Sequence, residues 1–335
     1  MILRSVAVLL LVLSVVLTWA WQDYQAFITR PMVAQESVIM EVAKGSSFRS
    51  IILQLDSQTG LQQADIDKLW FEILARQLGL ITQLKAGEYL LPVGQTPTEF
   101  LLLLGSGITR QHSITFPEGW TFKQIRQTLS ADKNLKLTLA GISDSEIMQK
   151  IGSPYTHPEG LFFPDTYRFE KSTTDVAILQ RAYQKMQQVL LQQWQNKEDG
   201  LPIKISYEAL ILASIVEKET AVPSERPAIA GVFTRRLNKG MRLQTDPTVI
   251  YGMGESYQGN IRKKDLQTLT PYNTYKINGL PPTPIAMPGV EAINAVLHPA
   301  KGNSLYFVAN GDGSHNFSAT LSEHNRAVQA YLRKR

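Results

Sequence analysis

One stretch of the sequence places two carboxylates at the end of an apolar helix. Residues 207–220 read YEALILASIVEKET, and the apolar spacing predicts a helix that Pro223 stops. From Ala209 to Val216 this segment is apolar all the way round, which is typical of a helix buried inside a domain. The carboxylates in its last turn, Glu217 and Glu219, are therefore candidates for a general acid or base.

The helical phase separates these two carboxylates. At about 100° per residue, Glu219 shares a face with three aliphatic side chains, and Glu217 points to nearly the opposite side. The aliphatic residues are Leu212, Ile215 and Val216. Desolvation against such a wall raises the pKa of a carboxyl, as a general acid at neutral pH requires. The alternative is that both glutamates are solvated at the helix end.

Three polar loops surround this helix in the sequence. They read HPEGLFFPDTY at residues 157–167, RLQTDPTVIY at 242–251 and YNTYKINGLPP at 272–282. Loops stiffened by proline and bearing Tyr, Asn, Gln and Asp suit the hydroxyls and apolar faces of a sugar chain. The alternative for each aromatic side chain is that it packs beneath its own loop.

The composition excludes several classes of function. The 335 residues carry 34 Lys and Arg against 29 Asp and Glu, a net charge of +5 without any basic block, so nucleic-acid binding is not indicated. There is no cysteine, which excludes disulfides, thiolate catalysis and Cys-based metal sites. The five histidines show no metal-ligand spacing. The Walker, Rossmann and G-x-S-x-G patterns are absent, and we expect no metal and no cofactor.

The N-terminus predicts a membrane anchor. Arg4 precedes the seventeen uncharged residues Ser5–Trp21, and Trp19 and Trp21 suit the outer membrane interface. We interpret residues 1–21 as an uncleaved, single-pass signal anchor in the inner (cytoplasmic) membrane, with the catalytic part in the periplasm. A cleaved signal peptide is the alternative, although no small-x-small site follows Thr18. A buried core helix is a third interpretation. Residues 22–36 are predicted to form a stalk.

Beyond the stalk, the patterns predict an α+β fold in two parts. Residues 37–107 read as strand, helix, helix, strand and helix, the order of a small LysM-like unit with an extra helix. Residues 108–335 predict a larger mixed α/β catalytic domain, with a long amphipathic helix capped by Thr174 and a hairpin near residues 305–319.

Four motifs resemble one known family. The run ASIVEKETAVPSERPAIAGVFTRRLNKGMRLQTDPTVIYGMG, at residues 213–254, closely resembles the endolytic murein transglycosylases of the MltG/YceG-like family. The segments EGLFFPDTY at 159–167, YNTY…GLPP…PG at 272–289 and YFVANGDGSHNF at 306–317 are also similar. The resemblance extends over the whole chain.

The resemblance implies a lytic transglycosylase. Such an enzyme cleaves the β-1,4 bond between N-acetylmuramic acid (MurNAc) and N-acetylglucosamine (GlcNAc) within a peptidoglycan strand and leaves a 1,6-anhydro-MurNAc end. The family's catalytic glutamate is followed by a small hydroxyl residue at the helix end, which here is Glu219 before Thr220. The candidate substrate contacts are Glu217, Gln244, Asp246, Tyr251, Asn273 and Tyr275. The family also implies termination of nascent strands beside peptidoglycan synthases.

Two other functions remain open at this stage. The first is a membrane-tethered, non-catalytic scaffold that binds the cell wall through the LysM-like unit. The second is a hydrolytic muramidase, in which Asp246 or Glu217 would activate water.

Overall fold

The computed structural model describes residues 2–59 and 65–334. The chain divides into two compact units. The first runs up to His112 and includes Phe169–Lys171, and the second comprises Ser113–Arg168 and the described residues from Ser172 onward. The mixed α/β class predicted from the sequence is confirmed. Three two-stranded sheets occur in the described part of the chain.

The first unit follows the predicted order of elements. They are α1 (Ile2–Thr29), β1 (Val38–Val42), α2 (Phe48–Thr59), α3 (Asp65–Gln77), β2 (Gly87–Leu91) and α4 (Pro97–Ser106). Strands β1 and β2 pair antiparallel, with Val38 opposite Leu91. Helix α4 begins where Thr96 and Glu99 form a reciprocal capping box, because this satisfies backbone donors that the first turn leaves free. The second helix of that order, which the apolar spacing predicts over residues 63–78, lies partly outside the described residues.

Helix α1 is long and apolar enough to cross a membrane. Leu3–Thr29 forms a continuous helix whose most apolar window has a mean hydropathy of 2.2 and is not buried in the protein. The helix does not end at Trp21 but continues through the first half of the segment predicted as a stalk.

Apolar side chains explain this continuation. Tyr24 and Phe27 are buried in the core of the first unit, where their rings lie 5.3 Å from that of Trp70 and 4.9 Å from that of Phe71. The indole of Trp70 also donates to Asp23, at 2.7 Å. The end of α1 is therefore part of the first unit's core rather than an independent spacer.

The second unit contains the predicted amphipathic helix and hairpin. Its elements include part of β3 (Gln111–Thr115) and β4 (Thr166–Glu170), together with α5 (Phe122–Ala131), α6 (Asp144–Lys150), α7 (Asp175–Gln195), α8 (Ser206–Glu219), α9 (Arg226–Asn238), α10 (Asp246–Met253), α11 (Lys263–Gln267), α12 (Val290–Leu297), β5 (Tyr306–Ala309), β6 (His315–Ser318) and α13 (Leu321–Lys334). Strands β5 and β6 pair antiparallel around the turn at 310–314.

Helix α8 is the central helix of this unit. Every residue from Ala209 to Val216 is buried, and α7, α9, α10 and α12 pack against it. Its polar residue Ser214 donates to the carbonyl of Ile211 and accepts from the backbone N–H of Ile285. A fully packed helix holds its last turn in a fixed position, and that turn carries Glu217, Lys218 and Glu219.

Candidate active site

Glu219 lies at the C-terminal end of α8, half-buried among loops. The hydroxyl of Thr245, the residue before α10, donates a hydrogen bond to its Oε1. Burial raises the pKa of the Glu219 carboxyl to about 7, against the hydrogen bond from Thr245, which lowers it. The C-terminal end of a helix also disfavours a negative charge. At neutral pH this carboxyl can therefore both give and take a proton.

Charged groups on other elements also act on Glu219, among them Asp246 and Arg236. The negative charge of Asp246 raises the pKa of Glu219, whereas Arg236 lowers it. Arg236 is buried in α9 and donates to the backbone carbonyls of Leu243 and Leu305, at 2.7 and 2.6 Å. These bonds fix the loop before Thr245 against the segment that leads into β5.

The loop that carries Thr245 is under local backbone strain. Gln244 has a φ of 51°, a left-handed conformation that non-glycine residues rarely adopt. Its N–H donates to the carbonyl of Thr274 at 3.2 Å, and the N–H of Thr245 donates to the Thr274 hydroxyl at 3.0 Å. Docking onto Thr274 therefore imposes the strained turn that aims Thr245 at Glu219 and leaves the Gln244 side chain exposed.

Asp246 and Tyr275 meet beside this loop. The Tyr275 hydroxyl donates to Oδ1 of Asp246 at 2.7 Å, and Asp246 remains exposed at the first turn of α10. Burial raises the pKa of Tyr275, as does its hydrogen bond to Asp246, so its hydroxyl stays protonated. Gln244, Asp246 and Tyr275 thus gather around the Glu219–Thr245 pair and present polar groups to a ligand.

Asn273 holds the site from within its own loop. It is 1% exposed, and its amide donates to the carbonyls of Asp265, Leu266 and Thr268. Its Oδ1 accepts the N–H of Tyr275 at 3.0 Å. The side chain of Asn273, which was predicted as a sugar contact, therefore uses both its amide N–H donors and its carbonyl oxygen within the protein, where it positions Tyr275.

Glu217 is not solvated but buried in an ion pair. Its Oε1 lies 3.0 Å from the guanidinium of Arg226, and its Oε2 accepts the N–H of Gly289 at 3.0 Å. Arg226 also contacts Glu291 at 2.5 Å and Glu118 at 3.5 Å. Glu217 therefore has contacts that are typical of a structural residue: it holds the loop before α12 against the end of α8.

Tyr251 lies away from these groups, at the far end of α10. Its hydroxyl donates to Oε2 of Glu159 at 3.1 Å, and Oε1 of Glu159 accepts the N–H of Phe122 at 2.9 Å. Burial raises the pKa of Glu159 to about 7, against those hydrogen bonds, which lower it. Glu159 and Tyr251 line a cavity of about 880 Å³ in the second unit.

Several residues near Glu219 are not among the candidates that the sequence motifs predict. Thr245 and Arg236 lie in the family-like run, yet only the folded chain shows that they face Glu219. Glu225 and His315 also meet only in the folded chain: Glu225 accepts from the His315 backbone N–H at 2.8 Å and lies 2.7 Å from its Nδ1. The nearby charge of His315 lowers the pKa of Glu219. A histidine at the first position of a strand carries no local signal for such a role.

Known proteins resemble this chain over most of its length. The sequence profile of the YceG-like family matches residues 40–330. An endolytic murein transglycosylase of Bacillus subtilis strain 168 is 33% identical over 74% of this chain and 73% of its own. A second, from Streptococcus pneumoniae serotype 2, is 30% identical over 89% of this chain. The chain spans 59% of the length of that streptococcal protein.

A solved structure agrees with these matches. The crystal structure of a yceG-like protein from Listeria monocytogenes is 30% identical, with a TM-score of 0.53 over 87% of this chain and 98% of that one. The family predicted from the sequence motifs is confirmed, and this chain belongs to the YceG-like family.

Proposed function

We propose that this protein is an endolytic lytic transglycosylase of peptidoglycan, with Glu219 as its catalytic residue. It cleaves the β-1,4 bond between MurNAc and GlcNAc within a strand. The proposal rests on one observation above all: a half-buried carboxyl, held by Thr245, whose pKa is raised to about 7. It also agrees with the activity for which the relatives are named.

In the first step Glu219 acts as a general acid. Its carboxyl gives its proton to the glycosidic oxygen, the bond between that oxygen and C1 of MurNAc breaks, and GlcNAc leaves with a free C4 hydroxyl. Positive charge then develops at C1 and the ring oxygen. The carboxylate of Asp246 is exposed, and its negative charge acts on Glu219. In this proposal it stabilises the positive charge that develops on the sugar.

In the second step the same group acts as a general base. The Glu219 carboxylate takes the proton of the MurNAc C6 hydroxyl, and O6 bonds to C1 to close the 1,6-anhydro ring. The proton balance of Glu219 is restored and no water is consumed. A pKa near the working pH serves both steps, because neither protonation state is then strongly disfavoured.

The surroundings of Glu217 bear on the two other candidate functions. A hydrolytic muramidase needs a second carboxylate to activate water, and Glu217 is already bound to Arg226 and Gly289. Asp246 is the remaining candidate for that role. A wall-binding scaffold does not require a desolvated carboxyl, and the ionisation of such a group costs stability.

The remaining parts of the chain fit a membrane-tethered enzyme. We propose that helix α1 anchors the protein in the inner membrane with both units in the periplasm, and that it ends nascent strands beside peptidoglycan synthases. We also propose that residues 37–107 form a LysM-like unit, as supported by its element order and antiparallel β1–β2 pair, and that 108–335 are the catalytic domain. Protease treatment of intact spheroplasts tests the orientation, since digestion only after lysis would contradict it.

The decisive experiment compares Glu219→Gln with the parent protein on intact sacculi. Glutamine keeps the size of the side chain but cannot transfer the proton, so formation of anhydro-MurNAc ends should fall at least about 100-fold. Mass spectrometry of the released fragments separates the candidate functions. Reducing MurNAc ends would identify a muramidase, and full wall binding with no cleavage by the parent protein would identify a scaffold.

A further inference from the structure

The cavity beside Glu159 is distinct from the surroundings of Glu219. It lies wholly within the second unit and has a volume of about 880 Å³. Its walls come from α5, residues 137–140, the loop at 157–159 and the C-terminal end of α10. None of the groups that act on Glu219 lines it; those groups are Thr245, Asp246, Arg236 and His315.

Its walls combine aliphatic surface with a few polar groups. Leu129, Leu137, Leu139 and Ile250 form the apolar part. The polar part centres on the carboxyl of Glu159, which is 4% exposed and lies 3.1 Å from the Tyr251 hydroxyl. Small-molecule sites typically have this composition, in which apolar walls give contact area and a few convergent polar groups fix orientation.

The charged side chains around the cavity are paired with protein groups. Lys123 bonds to Glu255 and Arg126 to Asp144. The carboxylate of Asp175 accepts the backbone N–H groups of Thr138 and Leu139.

Burial favours the uncharged form of two further groups near pH 7. Burial lowers the pKa of His157 below its ordinary value, and the raised pKa of Glu159 keeps a large share of that carboxyl in the acid form. The cavity therefore suits an uncharged ligand that accepts a hydrogen bond and carries small apolar groups.

Helix α10 relates the cavity to the candidate catalytic residue. Asp246 at its first turn acts on Glu219, and Tyr251, five residues later, lies about 7.5 Å further along the helix axis. An enzyme that cuts inside a strand must accommodate the polymer beyond the bond it cleaves. A ligand that reaches Glu219 and runs along α10 would meet the cavity next.

We infer that this cavity binds methyl-bearing amide groups of peptidoglycan next to the cleaved bond, an inference that rests on the proposed function. Peptidoglycan carries this group in two forms, as the N-acetyl groups of its sugars and as the alanyl residues of its peptides. In either form the methyl packs against the leucines, and the carbonyl accepts a hydrogen bond from the carboxyl of Glu159.

The test measures binding rather than cleavage. The full chain in detergent carries Glu219→Gln, so that no probe is consumed, and calorimetry follows three probes: chitotriose, a free L-alanyl-γ-D-glutamyl peptide and a disaccharide tetrapeptide. Ala140→Trp fills the cavity from an exposed position and should weaken binding of the disaccharide tetrapeptide at least about tenfold. Leu191→Trp is the control, because Leu191 is exposed on α7 and does not line the cavity.

A second variant guards against an indirect effect of the tryptophan. Tyr251→Phe removes the hydroxyl bonded to Glu159 and adds no bulk. It should weaken the same probe several-fold. If binding of chitotriose is also weakened, the occupant is the acetamido group. If binding of the free peptide is weakened, the occupant is the alanyl residue.

Two results would overturn the inference. One is binding of all three probes within twofold of the parent in both cavity variants, and the other is no binding of any probe to the parent. These results are separate from the fate of the proposed function, which the anhydro-MurNAc assay decides. In the active background, Ala140→Trp should raise KM for sacculi and leave kcat unchanged.

Discussion

The hydroxyl of Thr245 donates its hydrogen bond to the carboxyl of Glu219 from a loop held in a strained conformation at Gln244. Thr245 is 2% exposed, and its own N–H is bound by Thr274. Since both the donor and its backbone are fixed, the carboxyl of Glu219 has one preferred orientation before substrate arrives. Such preorganisation is worth most where water is excluded.

Replacing Thr245 by valine tests this relationship. The hydrogen bond from Thr245 lowers the pKa of Glu219, so its loss should raise that pKa further and shift the alkaline limb of kcat to higher pH. We expect kcat at pH 7 to fall about tenfold, because the freed carboxyl loses its orientation. Thr245→Ser keeps the hydroxyl and should restore most of the activity. An unshifted alkaline limb in Thr245→Val would contradict the assigned role.

The pH profile of the unmodified enzyme follows from the same carboxyl. The first step needs Glu219 in its acid form, and its pKa is raised to about 7. Activity should therefore decline as pH rises above 7, approaching a tenfold loss for each further pH unit. Rates on solubilised strands between pH 5 and 9 provide the measurement. A profile that is flat from pH 6 to 9 would argue against Glu219 as the acid.

Glu217→Gln should act mainly on stability. The ion pair of Glu217 with Arg226 is buried, and the N–H of Gly289 depends on the same carboxylate. Arg226 keeps Glu291 and Glu118 as partners, so we expect a loss of about 1–3 kcal/mol rather than unfolding. Chemical denaturation would measure it. Activity below the melting transition should remain within about tenfold of the parent, in contrast to Glu219→Gln.

The main features of α8 were predictable from the sequence because they are local. An apolar run of helical length, ended by Pro223, is enough to predict a buried helix with Glu219 on an aliphatic face. The capping box of Thr96 and Glu99 is local in the same way. Such patterns depend on residues only a few positions apart.

The partners of these groups were not predictable in this way. Arg226 meets Glu291 across 65 residues, and Thr245 meets Glu219 across 26, so these contacts exist only in the folded chain. The C-terminal end of α1 was not predicted for a different reason. Polar residues after Trp21 interrupt the apolar run. The helix continues because Tyr24 and Phe27 pack into the core of the first unit, and that core forms only in the folded chain.

Glu159 should make the protein less stable as pH rises. Its folded-state pKa is raised from 4.5 to about 7, so its contribution to stability is complete below pH 4.5 and is lost as pH rises through 7. With about 1.36 kcal/mol for each pKa unit, the full effect is on the order of 3 kcal/mol.

Glu159→Gln stays neutral at every pH and should flatten this part of the pH dependence. The stability of the variant relative to that of the parent should therefore rise between pH 5 and pH 8. Glu198→Gln, at an exposed position, is the matched control. Denaturant midpoints at both pH values decide the matter: an equal fall between pH 5 and pH 8 in parent and Glu159→Gln would show that Glu159 ionises without cost in the folded protein.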